Sequence, residues 1–140
     1  MDNIPGSGAA GGLGTALMVF LNGTLKSGIE TVLDLVDFDE HLKDVDIVVT
    51  GEGATDWQSV FGKVMQGVGV HCKKHHIPAV AIVGSMGSGA EDIFNYGIES
   101  IITTVNNIML LSDALNHAEE LYLGAARRMF RLLKAGMQMR

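Results

Sequence analysis

The sequence has no long hydrophobic run. Its uninterrupted apolar stretches are short, residues 16–21 being among the longest, whereas a membrane-spanning helix needs about 20 apolar residues. The N-terminus also lacks the basic stretch and apolar core of a secretory signal peptide. These absences predict a protein that neither crosses a membrane nor has a membrane as its partner.

Cysteine and positive charge are also scarce. Cys72 is the single cysteine, which excludes an internal disulfide and fits a cytoplasmic location. The chain carries 10 lysines and arginines against 16 aspartates and glutamates, for a net charge of −6. Nucleic acid is therefore not expected as a partner, because its backbone is bound by clustered cations. The cations within residues 127–140 are interpreted as a solvated helix end that complements the helix dipole.

Glycine, by contrast, is abundant, with 18 residues. The glycines concentrate in three segments, residues 6–14, 51–53 and 84–89. Glycine lets backbone N–H groups approach an anion closely, above all at a helix start. Since 47% of the residues are hydrophobic and 19% are charged, the chain is expected to fold. The pattern indicates an α/β protein that handles phosphate groups.

Hydrophobic periodicity predicts two N-terminal helices followed by alternating strands and helices. Helices are expected at residues 12–21, 27–36, 58–75, 90–96 and 112–133, with one more turn at 38–42. Strands are expected at residues 46–50, 79–83 and 98–104. Ser27 and Glu30 form a capping-box pattern, and Ser112 is the expected N-cap of the last helix. The alternation predicts a parallel sheet with right-handed crossovers and flanking helices.

Ligands of such sheets bind beyond the carboxyl ends of the strands. Residues 51–56 and 84–89 each follow a predicted strand, so we expect them to lie near each other on one rim. Three strands make a small sheet for this fold class. The chain is therefore expected to be the C-terminal part of a longer protein or a shortened relative.

The first glycine segment, residues 6–14, is a candidate cradle for a phosphate or carboxylate at the start of the following helix. No strand precedes it and no Gly-Lys-Ser/Thr sequence ends it, so it is neither a dinucleotide fingerprint nor a P-loop. Close helix packing on small residues, or a flexible terminus, explains the same composition.

A second candidate site follows the first strand. There Glu52 and Asp56 are able to hold Mg²⁺ or to act as a general base, and Lys63 is able to neutralise a phosphate. The alternative is structural, with Asp56 or Thr55 as a helix N-cap and Lys63 as a surface residue.

His71 and His75 stand four residues apart and could bind a metal on one helix face. No acidic residue or further cysteine is evident nearby in the sequence. We therefore favour the interpretation of this segment as a polar helix end whose cations complement the dipole.

Three segments have a recognisable order and spacing: residues 5–14 (Pro-Gly-Ser-Gly-Ala-Ala-Gly-Gly-Leu-Gly), 25–30 (Leu-Lys-Ser-Gly-Ile-Glu) and 50–63. The third contains Thr-Gly-Glu-Gly, then Asp56, Gln58 and Gly62-Lys63. In these features, and in the later strand and long final helix, the sequence resembles the glycerate kinase family, the bacterial type that phosphorylates glycerate with ATP. The resemblance covers essentially all 140 residues and corresponds to the C-terminal part of members well over twice as long.

The resemblance implies an incomplete part of a two-domain fold with the active site between two α/β domains. Residues 43–140 would be the second part of a Rossmann-like domain, and residues 1–42 the tail of the inserted domain. The implied ligands are glycerate, ATP and Mg²⁺. The implied partner is the missing N-terminal part, with a homo-oligomer as another arrangement.

The resemblance also implies roles for single residues. Asp56 and Lys63 are the candidate catalytic residues, and Asp56 is also the candidate metal ligand. The candidate substrate- and phosphate-binding residues are Ser7, Gly8, Gly11, Gly12, Glu52 and Gln58. The family has arginine where this chain has Ala54, which removes a fixed positive charge able to bind a carboxylate or phosphate with two hydrogen bonds.

Three functions follow from these features. The leading one is a kinase that converts glycerate to 2- or 3-phosphoglycerate. The second is a truncated or degenerate α/β domain that does not catalyse but assembles with itself or with a partner, which Ala54 and the abrupt start favour. The third is a generic nucleotide-binding module.

Overall fold

The computed structural model describes residues 7–60 and 63–139. The predictions for residues 5–6, Gly62 and Arg140 lie outside this range. Helices α1 and α2 (Ala9–Leu21 and Gly28–Leu35) come first. They are followed by the short helix α3 (Phe38–His41) and a 3₁₀ turn at Leu42–Asp44.

The rest of the chain forms a β-sheet with helices packed on its faces. Strands β1 (Val48–Thr55), β2 (Ala79–Met86) and β3 (Ile98–Thr103) alternate with helical elements. Helix α4 (Val64–Lys74) connects β1 to β2, and the helices α5 (Leu111–Asn116) and α6 (Ala118–Gly136) end the chain. Two further 3₁₀ helices occupy Trp57–Val60 and Ala90–Tyr96.

The three strands form one parallel sheet in the order β1-β2-β3. The central strand is the most buried, because both of its faces carry a core cluster. On one face Ala79, Ala81 and Val83 pack with α4 residues such as Met65 and Cys72. On the other face the core is a smaller cluster: Val80, Ile82, Ala125 and Met129. The predicted α/β fold with a parallel sheet and flanking helices is confirmed.

The segment before the sheet shares the larger core cluster. Leu33 of α2 and Leu42 of the first 3₁₀ turn are buried together with Met65 and Val68 of α4. Gly67 allows this packing, because a Cβ at that position would collide with the side chain of Ile29. Residues 28–42 therefore pack directly on α4, whichever domain they belong to.

Two strands are longer than their predicted bounds. The predictions ended β1 at Thr50 and β2 at Val83, but both strands continue through their glycines. A Cβ at Gly51 would meet the carbonyl oxygen of Ile82, and one at Gly84 would meet the carbonyl oxygen of Gly53. The glycines therefore allow close strand pairing here instead of ending the strands.

Several helix boundaries also differ from prediction. The helix predicted from residue 58 is a 3₁₀ turn followed by α4 from Val64, and the helix predicted at residues 90–96 is a 3₁₀ helix. The predicted final helix is interrupted at His117, whose φ of −110° and ψ of 22° are not helical. Its N-cap is Leu110 at the start of α5, not Ser112.

The predicted capping box at Ser27 is wrong in one respect. Ser27 does precede α2, but its side chain makes no capping hydrogen bond within the described structure. Its carbonyl oxygen instead accepts hydrogen bonds from the N–H and the hydroxyl of Thr31, and Glu30 hydrogen-bonds with His71.

Among the described residues, no helix is both long and apolar enough to span a bilayer.

Candidate functional site

The carboxyl ends of β1 and β2 form one rim, which we define as residues 52–58 and 84–89. Ala54 pairs with Ser85 and Thr55 pairs with Met86 in the parallel ladder. Beyond the ladder, the N–H of Gly87 donates to the carbonyl of Thr55 at 2.7 Å, and the N–H of Trp57 donates to that of Ser88 at 3.0 Å. The prediction that these two glycine segments meet on one rim is confirmed.

Asp56 lies at the centre of this rim in a tightly bonded turn, residues 55–59. The N–H of Gln58 donates to Asp56 Oδ1 at 2.8 Å, so the carboxylate does cap the following 3₁₀ turn. Ser59 Oγ accepts the hydroxyl hydrogen of Thr55 at 2.8 Å and the N–H of Asp56 at 3.2 Å. Because Thr55 and Ser59 are completely buried, the turn fixes the half-buried Asp56 in one orientation.

The hydrogen bond between the Thr55 and Ser59 hydroxyls supports the site but was not predicted from the sequence. The available signal was the serine three residues after Asp56, the spacing at which a hydroxyl can bond back to the start of a turn. Gly89 closes the other side of the rim against Trp57. Its φ is +75°, and a Cβ there would lie 2.8 Å from the Cβ of Trp57.

The other candidate residues of this segment lie before and after Asp56 in the sequence. Glu52 is half-buried in β1, opposite Val83 of β2. Gln58 is exposed in the 3₁₀ turn, and Lys63 is exposed as the N-cap residue of α4. Ala54, where the resemblance implies an arginine, is exposed on the rim opposite Ser85. The rim therefore carries both carboxylates of the predicted site.

The first glycine segment adopts an unusual backbone. Ala10, Gly11 and Gly12 all have positive φ, at 52°, 67° and 87°, directly before the regular part of α1. A Cβ at Gly8, Gly11 or Gly12 would meet nothing within 4 Å, so this turn faces open space. Ser7 anchors it, because the hydroxyl of Thr15 donates to the Ser7 carbonyl at 2.7 Å.

In the described residues, the glycine turn is not packed against the rim. Helix α1 makes no extensive packing contact with the sheet or with the Asp56 turn in the described residues. The two predicted halves of the site, residues 7–12 and the rim, therefore do not pack against each other in the part of the chain that is described.

A cluster of charged side chains occupies the other end of α4, near the amino ends of the strands. We call it the histidine cluster: Glu30, Asp39, His71, Lys74 and His75. His71 contacts Asp39 at 2.5 Å through Nδ1 and Glu30 at 3.1 Å through Nε2. Lys74 donates to Asp39 Oδ2 at 2.8 Å, and His75 Nε2 lies 3.1 Å from the same oxygen.

The cluster shifts several pKa values in consistent directions. Hydrogen bonds from Lys74 and then His71 hold the pKa of Asp39 well below its ordinary value. Burial lowers the pKa of His71, but its bonds to Asp39 and Glu30 outweigh burial and raise the pKa overall. Burial raises the pKa of the Cys72 thiol to about 11, so this cysteine stays protonated near neutral pH.

No acidic residue is near His71 and His75 in the sequence, but the fold brings two to them. Glu30 of α2 reaches His71 from 41 residues away, and Asp39 of α3 reaches both histidines, 32 residues before His71. No group of three or more His, Cys, Asp or Glu side chains suited to a metal ion occurs within residues 7–60 and 63–139. The cluster is therefore best described as a set of ion pairs that joins α2 and α3 to α4.

The fold and the rim define the class of protein. A parallel sheet with a carboxylate turn and a glycine loop at the carboxyl ends of adjacent strands is the arrangement of α/β proteins that bind ligands at this edge. Comparison with known proteins narrows the class. The model of the glycerate kinase family matches residues 1–134, and the chain belongs to that family.

Individual relatives agree with this assignment. The chain is 45% identical over 125 residues to the glycerate kinase of Halalkalibacterium halodurans, covering 89% of this chain and 33% of that protein. It is 40% identical over 138 residues to the glycerate 2-kinase of Escherichia coli, covering 99% of this chain and 36% of the relative.

A solved structure is also similar. The crystal structure of a protein assigned as glycerate kinase 2 from Salmonella typhimurium LT2 superposes with a TM-score of 0.71 at 38% identity. The match covers 96% of this chain but 34% of the other chain. This chain thus spans about a third of the length of the relatives it matches.

Proposed function

We propose that this chain supplies part of the active site of a glycerate kinase, which transfers the γ-phosphoryl group of ATP to a hydroxyl of glycerate. One observation carries the proposal. In a chain that belongs to the glycerate kinase family, the rigid Asp56 turn lies beside the 84–89 loop at the carboxyl edge of the sheet. Phosphoryl transfer depends mainly on positioning and charge neutralisation, and a rigid rim suits that task.

Asp56 is the proposed base toward the glycerate hydroxyl. Its turn is held by two buried hydroxyls, so the carboxylate does not have to be reorganised when substrate binds. A fixed carboxylate within reach of a hydroxyl is the geometry that general-base catalysis needs. Lys63, exposed at the start of α4, is proposed to neutralise phosphate charge.

We also propose that Mg²⁺ binds at the rim. Mg²⁺ is usually held by one or two carboxylates together with substrate phosphates rather than by a full protein cage. Asp56 is the proposed ligand as an alternative to its role as the base, and Glu52 lies on the same rim. When bound, the ion would neutralise charge on the phosphates.

The glycine turn is proposed to offer backbone N–H groups to an anionic part of the substrate. Gly8, Gly11 and Gly12 leave its surface without side chains, and Ser7 fixes its start. Because the turn and the rim do not pack against each other in the described residues, we propose that the rest of the kinase fold sets their distance. Ala54 leaves one fixed positive charge of the family pattern missing, which favours weaker binding of the anionic substrate.

A coupled assay of ADP release with MgATP and glycerate tests the proposal. The assay uses this chain joined to the part of the Halalkalibacterium halodurans glycerate kinase that it does not match; we call this the joined protein. We expect Asp56→Asn to lower kcat by about 100-fold or more, because it removes the base. The matched control is Asp46→Asn, an exposed aspartate before the amino end of β1, which should leave kcat within about twofold.

Equal activity of the two variants would contradict the role of Asp56. If the joined protein folds but turns over no glycerate, the kinase proposal itself fails for this chain. The second function, a non-catalytic domain that assembles with itself or a partner, is favoured by the large exposed apolar side chains of α1, such as Phe20 and Leu21. It predicts self-association in light scattering without glycerate-dependent ATP turnover.

A further inference from the structure

The loop that follows β3 lies at the same edge of the sheet as the rim. Val83 of β2 pairs with Thr103, the last residue of the parallel strand β3. Residues 84–89 and 104–110 therefore leave adjacent strands in the same direction. Since neighbouring strands are about 4.8 Å apart, the end of β3 lies about 10 Å across the sheet from the end of β1, which leads into Asp56.

A pocket of about 520 Å³ lies between this loop and the start of α6. We call it the β3 pocket and define it by its lining: residues 106–109, Asp113, His117, Glu120 and Leu121. Part of this lining is apolar, because Ile108 is fully exposed and Met109 and Leu121 are half-buried. Small-molecule sites typically combine such apolar surface with a few polar groups that orient the ligand.

The polar lining indicates which part of a nucleotide the β3 pocket suits. Asp113 and Glu120 contribute exposed carboxylates, and Asn106 and Asn107 contribute exposed side-chain amides. No lysine or arginine is among the described residues that line this pocket. Carboxylates repel phosphate groups but accept hydrogen bonds from hydroxyls, and amides both donate and accept. The pocket therefore suits an uncharged nucleoside better than a phosphate group.

Hydrogen bonds hold both ends of the loop. At its start, the Thr103 hydroxyl donates to the Val105 carbonyl at 3.1 Å, and Arg128 donates to the Thr103 carbonyl at 3.0 Å. At its end, the carbonyl of Leu110 accepts the N–H of Asp113 at 3.1 Å. The pocket is thus already formed in the chain without ligand, as is usual for small-molecule sites.

We propose that the β3 pocket binds the nucleoside part of ATP, with the triphosphate extending along the carboxyl edge of the sheet toward Asp56. The base would lie against Ile108 and Leu121, and the two asparagine amides would bond its polar edge. The ribose hydroxyls would donate to Asp113 or Glu120. The two strand spacings between β3 and β1 fit the length of a triphosphate chain. This inference rests on the proposed kinase function and adds the part of the site that selects the nucleotide.

NMR titration of the 140-residue chain tests the pocket with two separate probes, adenosine and inorganic tripolyphosphate. We expect millimolar adenosine to shift the backbone amide signals of residues 106–109 and 120–121 in a saturable way. Tripolyphosphate should leave these signals in place, because the carboxylates of the pocket repel it. The proposal is overturned if adenosine leaves these signals unmoved, if it shifts those of the rim or of residues 7–12 more strongly, or if tripolyphosphate shifts them equally.

A matched pair of substitutions in the joined protein measures the contact with the base. Ile108→Ala should raise the KM for ATP by about five- to tenfold, because it removes apolar surface that the base would cover. The KM for glycerate and kcat should stay within about twofold, since the side chain is remote from the transferred group. The control is Leu110→Ala, an exposed leucine of the same loop that does not line the pocket. It should leave all three constants within about twofold.

The two experiments separate this proposal from the kinase proposal. Equal effects of the two substitutions, or a rise in the KM for glycerate instead of ATP, would contradict the nucleoside site. Normal turnover without adenosine shifts in the pocket would overturn the nucleoside site alone. A joined protein that turns over no glycerate would contradict the kinase proposal, and the adenosine titration, which needs no turnover, would still decide whether the β3 pocket binds a nucleoside.

Discussion

Gly84 shows how a single residue determines the geometry of the rim. A Cβ at Gly84 would meet the carbonyl oxygen of Gly53 on the neighbouring strand, and that oxygen belongs to the backbone. The two strands would have to separate where the rim begins. The requirement for glycine is therefore steric, since it comes from strand pairing and not from a positive φ.

We predict that Gly84→Ala lowers the free energy of unfolding by about 2–3 kcal/mol, because a backbone contact cannot relax as a flexible side chain can. The matched control is Gly53→Ala, on the same rim, where a Cβ would meet nothing within 4 Å. That variant should change stability by less than about 1 kcal/mol. Urea unfolding of both variants measures the difference, and equal effects would show that the strands do not approach closely at Gly84.

Also at the scale of single residues, the rim residues could be predicted from the sequence, but the contacts that fix their positions could not. Asp56 could be proposed from its position after a predicted strand. The burial of Thr55 and Ser59 could not, because it depends on α4 and the 84–89 loop packing around the turn. In the same way, the acidic partners of His71 come from elements more than 30 residues away. Local sequence carries no signal for such contacts.

At the scale of elements, the alternation of strands and helices was predicted correctly and their ends were not. Hydrophobic periodicity indicates which face of a segment is buried, and it correctly predicted that the segments of β2 and α4 are a strand and a helix. Strand ends depend on pairing with a neighbour, so Gly51 and Gly84 were read as stops although both continue the ladder. The interruption at His117 likewise could not be predicted, because no glycine or proline lies next to it in the sequence.

The histidine cluster predicts that the attachment of α2 and α3 to α4 depends on pH. His71 has a pKa raised above its ordinary value of 6.5, so its contribution to stability is complete below pH 6.5 and is lost as the pH rises through the raised value. Asp39 has a pKa lowered from 3.8, so its contribution is present above pH 3.8 and is lost only in strong acid. Both contributions are complete between about pH 4 and 6.5.

We therefore predict that the free energy of unfolding decreases as the pH rises from 6 to 8, and that His71→Gln removes most of this decrease. His41→Gln is the control, because His41 is an exposed histidine of α3 outside the histidine cluster. It should keep the pH dependence of the parent chain. Urea unfolding at several pH values gives the comparison, and a parent chain with constant stability over this range would refute the coupling.

At the scale of the whole molecule, the glycine turn and the rim are two candidate ligand surfaces that do not pack against each other in the described residues. The larger core cluster joins residues 28–42 to α4, but α1 and its glycine turn remain outside that packing. α1 leaves several apolar side chains exposed, among them Leu13, Leu17 and Phe20. A ligand cleft between the glycine turn and the rim would need both of them to be fixed in position.

This separation predicts how the molecule responds to ligands. MgATP and glycerate together should change the Tm of the 140-residue chain by less than about 1 °C, because neither surface alone binds tightly enough at millimolar ligand. The same ligands should raise the Tm of the joined protein by several degrees, and more together than separately, since each would bind a cleft that the other helps to close. Differential scanning fluorimetry of both proteins measures this. A joint ligand effect on the chain alone would mean that the glycine turn and the rim can reach each other without the rest of the kinase fold.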